Sequence, residues 1–153
     1  HRRLSRCKKG SHHRELAIRN LTKVYEKVSN RRRDWFFKLA NYLVGEYAII
    51  CIEDLNLDAM KRLWGRKVSD LAFAEFIRIL EWVASNAGTE VVKIDKWAAS
   101  SKTCHICGEV NSGLTLKQRS WDCPRCGNHL DRDVNAAINI KRLGLAKLGY
   151  SAV

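Results

Sequence analysis

The sequence has no apolar run approaching the roughly 20 residues that a membrane-spanning helix needs. No secretory signal stands at its start, because the first 14 residues are basic and polar. From these two absences neither a membrane-spanning helix nor a leader is expected in these residues, and the expected setting is a reducing cytosol. Methionine is nearly missing: Met60 is the only one, and the chain opens on His1. The expectation is a sequence that starts inside a longer reading frame. There is no internal repeat and no low-complexity tract. Acidic residues are scarce at the N-terminal end. Residues 1–38 hold 13 Lys and Arg against three acids, while the other 115 residues hold 15 against 13. Most of the formal net charge of +12 is therefore concentrated there. A basic segment of this density attracts phosphate backbones, so nucleic acid is the expected partner. A merely solvated helix face is the blander alternative. With 46% hydrophobic residues the chain is too apolar for disorder. At 153 residues one domain is expected, with room for a small insert.

The pattern along the chain is α/β. After Gly10, Ser11 is a candidate N-cap, and a long helix is expected from about His12 to Val44. Leu21, Val24, Val28, Trp35, Leu39 and Tyr42 recur at helical spacing and are expected to share its packed face, with Gly45 as the breaker. Tyr47 to Leu57 reads as a strand. Its apolar run, Tyr47 to Ile52, suits burial on both faces and ends abruptly in Glu53 and Asp54. A second helix is expected from about Asp70 to Ala87, capped by Ser69 and ended by Gly88. Its expected apolar side is Phe73, Phe76, Ile77, Leu80, Val83 and Ala84. A second strand, Thr89 to Asp95, follows, and the order implies parallel pairing with a crossover helix. Residues 97–129 turn rich in Cys, Gly, Ser and Asn and read as an inserted metal module. A last helix is expected from about Val134 to Leu143, packing through Ala136, Ala137, Ile138 and Ile140, with a loosely ordered tail after Gly144.

Six cysteines in a reducing compartment suggest metal ligation more than disulfides. Cys104 and Cys107 form one C-x-x-C pair, Cys123 and Cys126 a second, with 15 residues between the pairs. Each pair is followed by a glycine, Gly108 or Gly127, suited to the tight turn that brings backbone amides toward sulfur. Four thiolates around one tetrahedral Zn2+ leave no open position, so the ion is expected to be structural. His105 and His129 are not taken as ligands. Cys7 and Cys51 fall outside the pattern, and Cys51 is expected to be a small core residue.

Glu53 and Asp133 raise a second possibility. Glu53 ends a strand, and Asp133 opens the last helix. Sites of α/β sheets form at such strand ends. Two carboxylates brought together there could share hard divalent ions. A helix N-cap or first-turn acid is the competing role for Asp133, and a solvated strand end for Glu53.

The stretches "IICIEDLNL", "SSKTCHICG", "WDCPRCG" and "LDRDVNAAINI", in that order, resemble the C-terminal half of the TnpB-type (OrfB-type) transposon-encoded proteins. The resemblance covers about residues 1 to 145. That family consists of RNA-guided DNA endonucleases, similar to the type V CRISPR effectors, with a RuvC-like, RNase H-like core. The resemblance implies an incomplete RNase H-like core with an inserted four-cysteine zinc ribbon. Residues 1–96 would be partial core, 97–129 the nucleic-acid-binding ribbon, and 130–153 the return helix and tail. Glu53 matches the acid of the second RuvC motif and Asp133 that of the third, with Asp131 the lesser candidate. Mg2+ or Mn2+ would serve catalysis, and DNA and a guide RNA would be the partners. The setting would be a prokaryotic cytoplasm, near the nucleoid.

Nothing before the basic helix matches the family's first RuvC aspartate. The family's N-terminal region is absent as well, which leaves the strand at 48–53 with a bare apolar edge. The chain alone is therefore expected to be inactive as a nuclease. A non-catalytic DNA- or RNA-binding module and a decayed transposase remnant are the competing functions. Nucleic-acid contacts are expected at Arg31, Arg32 and Arg33 in the long helix, and at Lys102 and Arg125 in the ribbon. Solvated side chains are the alternative for each. Trp97 and Trp121 could stack on bases, but are expected to be filler for a small module.

Overall fold

A computed structural model describes residues 1–56, 62, 65, 72–115 and 117–150. A short helix α1, Arg2–Arg6, leads into α2, His12–Glu46. Ser11 caps α2, its Oγ accepting from the Arg14 N–H at 3.3 Å. The helix runs through Gly45 to Glu46, since one glycine costs a helix only about 1 kcal/mol. Strand β1 is Ile49–Glu53, helix α3 is Phe73–Ala87, and strand β2 is Glu90–Ile94. The hairpin strands β3, Ser120–Asp122, and β4, His129–Asp131, precede the last helix α4, Arg132–Lys147. Ser69 and Asp70, expected to begin α3, lie outside the described residues. Among the described residues no helix is long and apolar enough to cross a membrane.

β1 and β2 pair in parallel, from Ile49 beside Glu90 to Glu53 beside Ile94. The crossover contains α3, as the element order implied. Both strands therefore point their C-terminal ends the same way, at Glu53 and at Ile94. All five residues of β1 are only half-buried, which corrects the expectation of a strand covered on both faces. Among the described strands β1 has a partner on one side only. An open groove beside it is lined by Leu43, Ile50, Ala137, Ile140 and Leu145.

The main core forms where the C-terminal third of α2 crosses α3. Phe36, Ala40, Ile79, Leu80 and Val83 are buried there, with Phe37, Leu43, Val44, Phe76 and Val91 against them. The Phe36 and Phe76 rings lie 5.3 Å apart at a tilt that suits aromatic pairs. This core corrects the expected face of α2. Val24, Val28, Trp35 and Tyr42 are all more than half exposed. The helix carries two apolar stripes, and periodicity cannot say which one meets a partner. The stripe through Ala40, 0% exposed, packs because its small side chain lets α3 approach. On α3 itself Ile79 is buried, while Phe73 is 38% exposed.

α4 lies across both parallel strands, and its Lys147 donates to the Lys93 carbonyl at 3.0 Å. The helix continues through Gly144, which corrects the expected tail. Gly144 is buried on Cys51: a Cβ there would sit 2.8 Å from the Cys51 Cβ. Close approach, not helix termination, is its role. Burial at this contact also pushes the Cys51 thiol up, with Lys141 opposing. Gly144→Ala should therefore lower stability by about 1–3 kcal/mol through overpacking, despite the better helix propensity of alanine. An unchanged urea midpoint would contradict this close packing.

Candidate functional site

The two C-x-x-C pairs fold alike. The Cys104 N–H donates to the Glu109 carbonyl at 2.8 Å, and the Gly108 N–H to the Cys104 carbonyl at 2.9 Å. In the second turn Cys123 donates to Asn128 and Gly127 to Cys123, both at 2.9 Å. Gly108 and Gly127 have φ of 78° and 71°, a conformation that L side chains disfavour. Each turn thereby aims two sulfurs at one point.

The four sulfurs of Cys104, Cys107, Cys123 and Cys126 all lie within 4.8 Å of one another. Cys104 Sγ is 3.8 Å from Cys126 Sγ, and Cys107 Sγ is 3.5 Å from Cys123 Sγ. A tetrahedral ion with metal–sulfur bonds of about 2.3 Å spaces its sulfurs by about 3.8 Å. The residues fit a single four-coordinate metal ion. It is the one such cluster of ligating side chains found among the described residues. His129 instead meets Asp122 at 2.7 Å, and His105 meets Asn135.

Electrostatics suit the same ion. The side-chain and backbone N–H groups of Asn128 hold the Cys126 thiol down at about 6. For Cys107 a backbone hydrogen bond with Glu109 acts downward, but desolvation and the neighbouring thiols outweigh it and push Cys107 up to about 12. Four crowded sulfurs cannot all ionise unaided, and a dication removes that conflict.

Behind the sulfurs, Leu114, Trp121 and Leu130 form a small core. Trp121 is 4% exposed and is filler, as expected. Trp97 is not: it is 82% exposed, with the Lys96 ammonium 5.4 Å from its ring centroid. The filler role expected for Trp97 is therefore corrected. Composition marks both tryptophans as possible filler, and only the path of the chain separates them.

α4 ties this module to the sheet. Asn135 and Asn139 are buried, where four apolar residues were expected to do the packing. Asn135 Nδ2 donates to the Thr103 carbonyl at 2.8 Å, and its Oδ1 accepts the His105 N–H at 2.9 Å. Asn139 Nδ2 donates to the Ser100 carbonyl at 2.8 Å. Sequence reasoning passed over these asparagines. Their spacing of four places them on one helix face, and that was the available signal.

The carboxylates belong to two elements that meet here, β1 and α4. Glu53 ends β1, half-buried, and its Oε1 accepts from Ser100 Oγ at 2.5 Å. A recess beside it is lined by Asp54, Asn56, Lys96 and Trp97. Asp133 is exposed in the first turn of α4 and faces Arg132 at 3.1 Å and Arg119 at 3.6 Å. Asp131 is the N-cap, accepting from the N–H groups of Asp133 and Val134 at 2.9 Å each. The capping role weighed for Asp133 thus belongs to Asp131. Of the expected nucleic-acid contacts, Arg31, Lys102 and Arg125 are exposed. Arg33 is exposed over the Phe37 ring, and Arg32 lies 3.8 Å from Glu75.

Two family models match, one after the other. Residues 1–63 match the family described as "Probable transposase", and residues 73–140 that described as "Cas12f1-like, TNB domain". The chain is similar to TnpB-like and Cas12f1-like proteins along most of its length. A Streptomyces pristinaespiralis protein named "Putative RNA-guided DNA endonuclease" is 42% identical over 95% of this chain. TnpB-like protein L79 of Acanthamoeba polyphaga mimivirus is 33% identical over 83% of it. The chain spans 36% and 25% of those two relatives' lengths. The fold matches that of Cas12f in the CRISPR-Cas12f ternary complex, with a TM-score of 0.66 and 24% identity. That match covers 88% of this chain and 28% of the other.

Proposed function

We propose that this chain is the C-terminal part of a TnpB-type, transposon-encoded, RNA-guided DNA endonuclease. When complete, the protein hydrolyses DNA phosphodiesters. In this reading residues 1–96 are partial RuvC-like, RNase H-like core, 97–129 a nucleic-acid-binding zinc ribbon, and 130–153 the return of the chain to the core. Zn2+ at the four cysteines is structural. Mg2+ or Mn2+ bound by Glu53 and Asp133 would activate water and stabilise the leaving oxygen. One observation carries the proposal. The helix that leaves the sulfur cluster carries Asp133, and it also grips the segment whose Ser100 holds Glu53. Guide RNA and target DNA are the proposed partners, in a prokaryotic cytoplasm near the nucleoid.

The chain's own residues supply position and charge. The strand end presents Glu53 at the edge where parallel sheets form their sites. Exposed Arg31 and Arg33 offer forked donors to phosphate. In the complete protein, Glu53→Gln should lower metal-dependent DNA cleavage by at least ~100-fold. Cleavage at the parent rate would overturn the proposal. The chain by itself is expected to cleave little, as it carries no match to the first RuvC aspartate. DNA binding by the chain should weaken with salt. Arg31→Ala with Arg33→Ala should reduce the log–log slope by about 1 for each phosphate that is no longer neutralised. A slope unaltered in both variants would remove these residues from the interface.

A non-catalytic binding module is the second reading. The two guanidiniums beside Asp133 favour it, because they already offset its charge. Wild-type cleavage in the complete protein carrying Asp133→Asn, with DNA binding weakened, would select it.

A further inference from the structure

The hydrogen bond between Ser100 and Glu53 has no part in binding metal at the cysteines, and it is unusually well supported. Ser100 is 5% exposed, and its backbone is gripped from one side of α4. Its carbonyl accepts from Asn139 at 2.8 Å and from Asn135 at 3.3 Å. Thr103, three residues on, accepts from both asparagines, at 2.8 Å from Asn135 and 2.6 Å from Asn139. The Asn135 Oδ1 then holds the His105 N–H, one residue past the ligand Cys104. Two amide side chains, one helical turn apart, thus fix the backbone from 100 to 105. Buried amides of this kind hold their geometry because no water is present to replace a missing partner. The Ser100 hydroxyl projects from this clamped segment onto one oxygen of Glu53.

We propose that Ser100 is a positioning residue for Glu53, placed by Asn135 and Asn139, so that the segment entering the sulfur cluster sets the orientation of the carboxylate. The inference rests on the reading of Glu53 as a hard-cation ligand. A glutamate at a strand end has three side-chain torsions, and a donor fixed on Oε1 selects among them. Oε2 is then the oxygen offered to a cation. Partners that orient a ligating carboxylate in this way typically contribute 10–100-fold to metal affinity. The sulfur site and the carboxylate edge become one mechanical unit, joined through residues 100–105.

A purely structural role for Ser100 predicts a different result, because the asparagines bind its backbone and not its hydroxyl. Ser100→Ala keeps the clamp and removes only the donor to Glu53. The test uses the zinc-loaded chain and follows the Glu53 carboxyl carbon by 13C NMR during titration with Mn2+, with Ser100→Ala and Glu53→Gln in parallel. In Ser100→Ala the carboxyl resonance should move before any Mn2+ is added. Mn2+-induced broadening at the strand end should then need roughly 10-fold more metal. Zinc content should stay at the parent value. If Glu53→Gln abolishes the broadening while Ser100→Ala changes neither resonance nor titration, the positioning role is overturned and the ligand reading stands. If Glu53→Gln leaves the Mn2+ response intact, the ligand reading fails. The positioning role, which rests on that reading, falls with it.

Discussion

Cys104→Ser should empty the sulfur cluster and unfold residues 103–131, while α2 and the parallel strands survive. The expected effect is large because the module has little else to hold it. Apart from cysteines, its buried core is Leu114, Trp121 and Leu130. So small an apolar core does not fold alone. Metal binding at a four-thiolate site is worth roughly 10–16 kcal/mol in isolated zinc-finger peptides, and that binding energy is folding energy. Cys104 is 1% exposed, so its replacement also leaves a hydroxyl in an apolar place. Metal analysis and amide hydrogen exchange check the prediction. The variant should hold no stoichiometric metal and should lose protection across the hairpin, with helix α2 unaltered. A full metal complement in Cys104→Ser would refute the ligand assignment. Loading should also release protons and weaken in acid. Cys107 must give up a proton held at about 12, and Cys126 takes one up as pH falls through about 6.

Asn135→Ala should be the most damaging change outside the cysteines. The side chain is 0% exposed. It donates to the carbonyls of Thr103, Ser100 and Ser101, at 2.8, 3.3 and 3.4 Å, and accepts from the His105 N–H. Alanine removes every one of these and leaves buried backbone groups short of partners, at about 1–3 kcal/mol each. Asn139 still serves the Ser100 and Thr103 carbonyls, so the net cost should be roughly 2–4 kcal/mol. Asn139→Ala should cost less, because Asn135 continues to reach the same two carbonyls. Urea unfolding of the two variants gives the comparison. Equal midpoints for Asn135→Ala and the parent would show that the amide carries no load.

Legibility in the sequence followed the range of the interaction. The cysteine turns were readable because a C-x-x-C-G turn closes within five residues and carries its own chemistry. The parallel pair was readable because a strand, a helix and a strand in succession leave few alternatives. The packed face of α2 is not legible in the sequence. Its stripe through Val24, Val28 and Trp35 is as periodic as the one through Phe36, Ala40 and Val44, and only the approach of α3 chooses between them. The role of Gly144 is hidden for the same reason. A glycine near a helix end resembles a stop until the neighbouring strand is known to press Cys51 against it.

The amino-acid sequence by itself determined the four cysteines that could hold one metal ion, the basic N-terminal segment, the α/β order and the family resemblance. Each depends on residue type and local spacing, which survive without coordinates. The tertiary structure alone decided that Asn135 and Asn139 are core residues, that Trp97 is a surface residue, that Asp131 caps α4, and that Ser100 meets Glu53. A polar side chain is read as exposed until buried carbonyls are brought to it. Those carbonyls come from a segment 32 to 39 positions earlier in the chain. No local pattern records that meeting, because it exists only once α4 lies across the parallel strands.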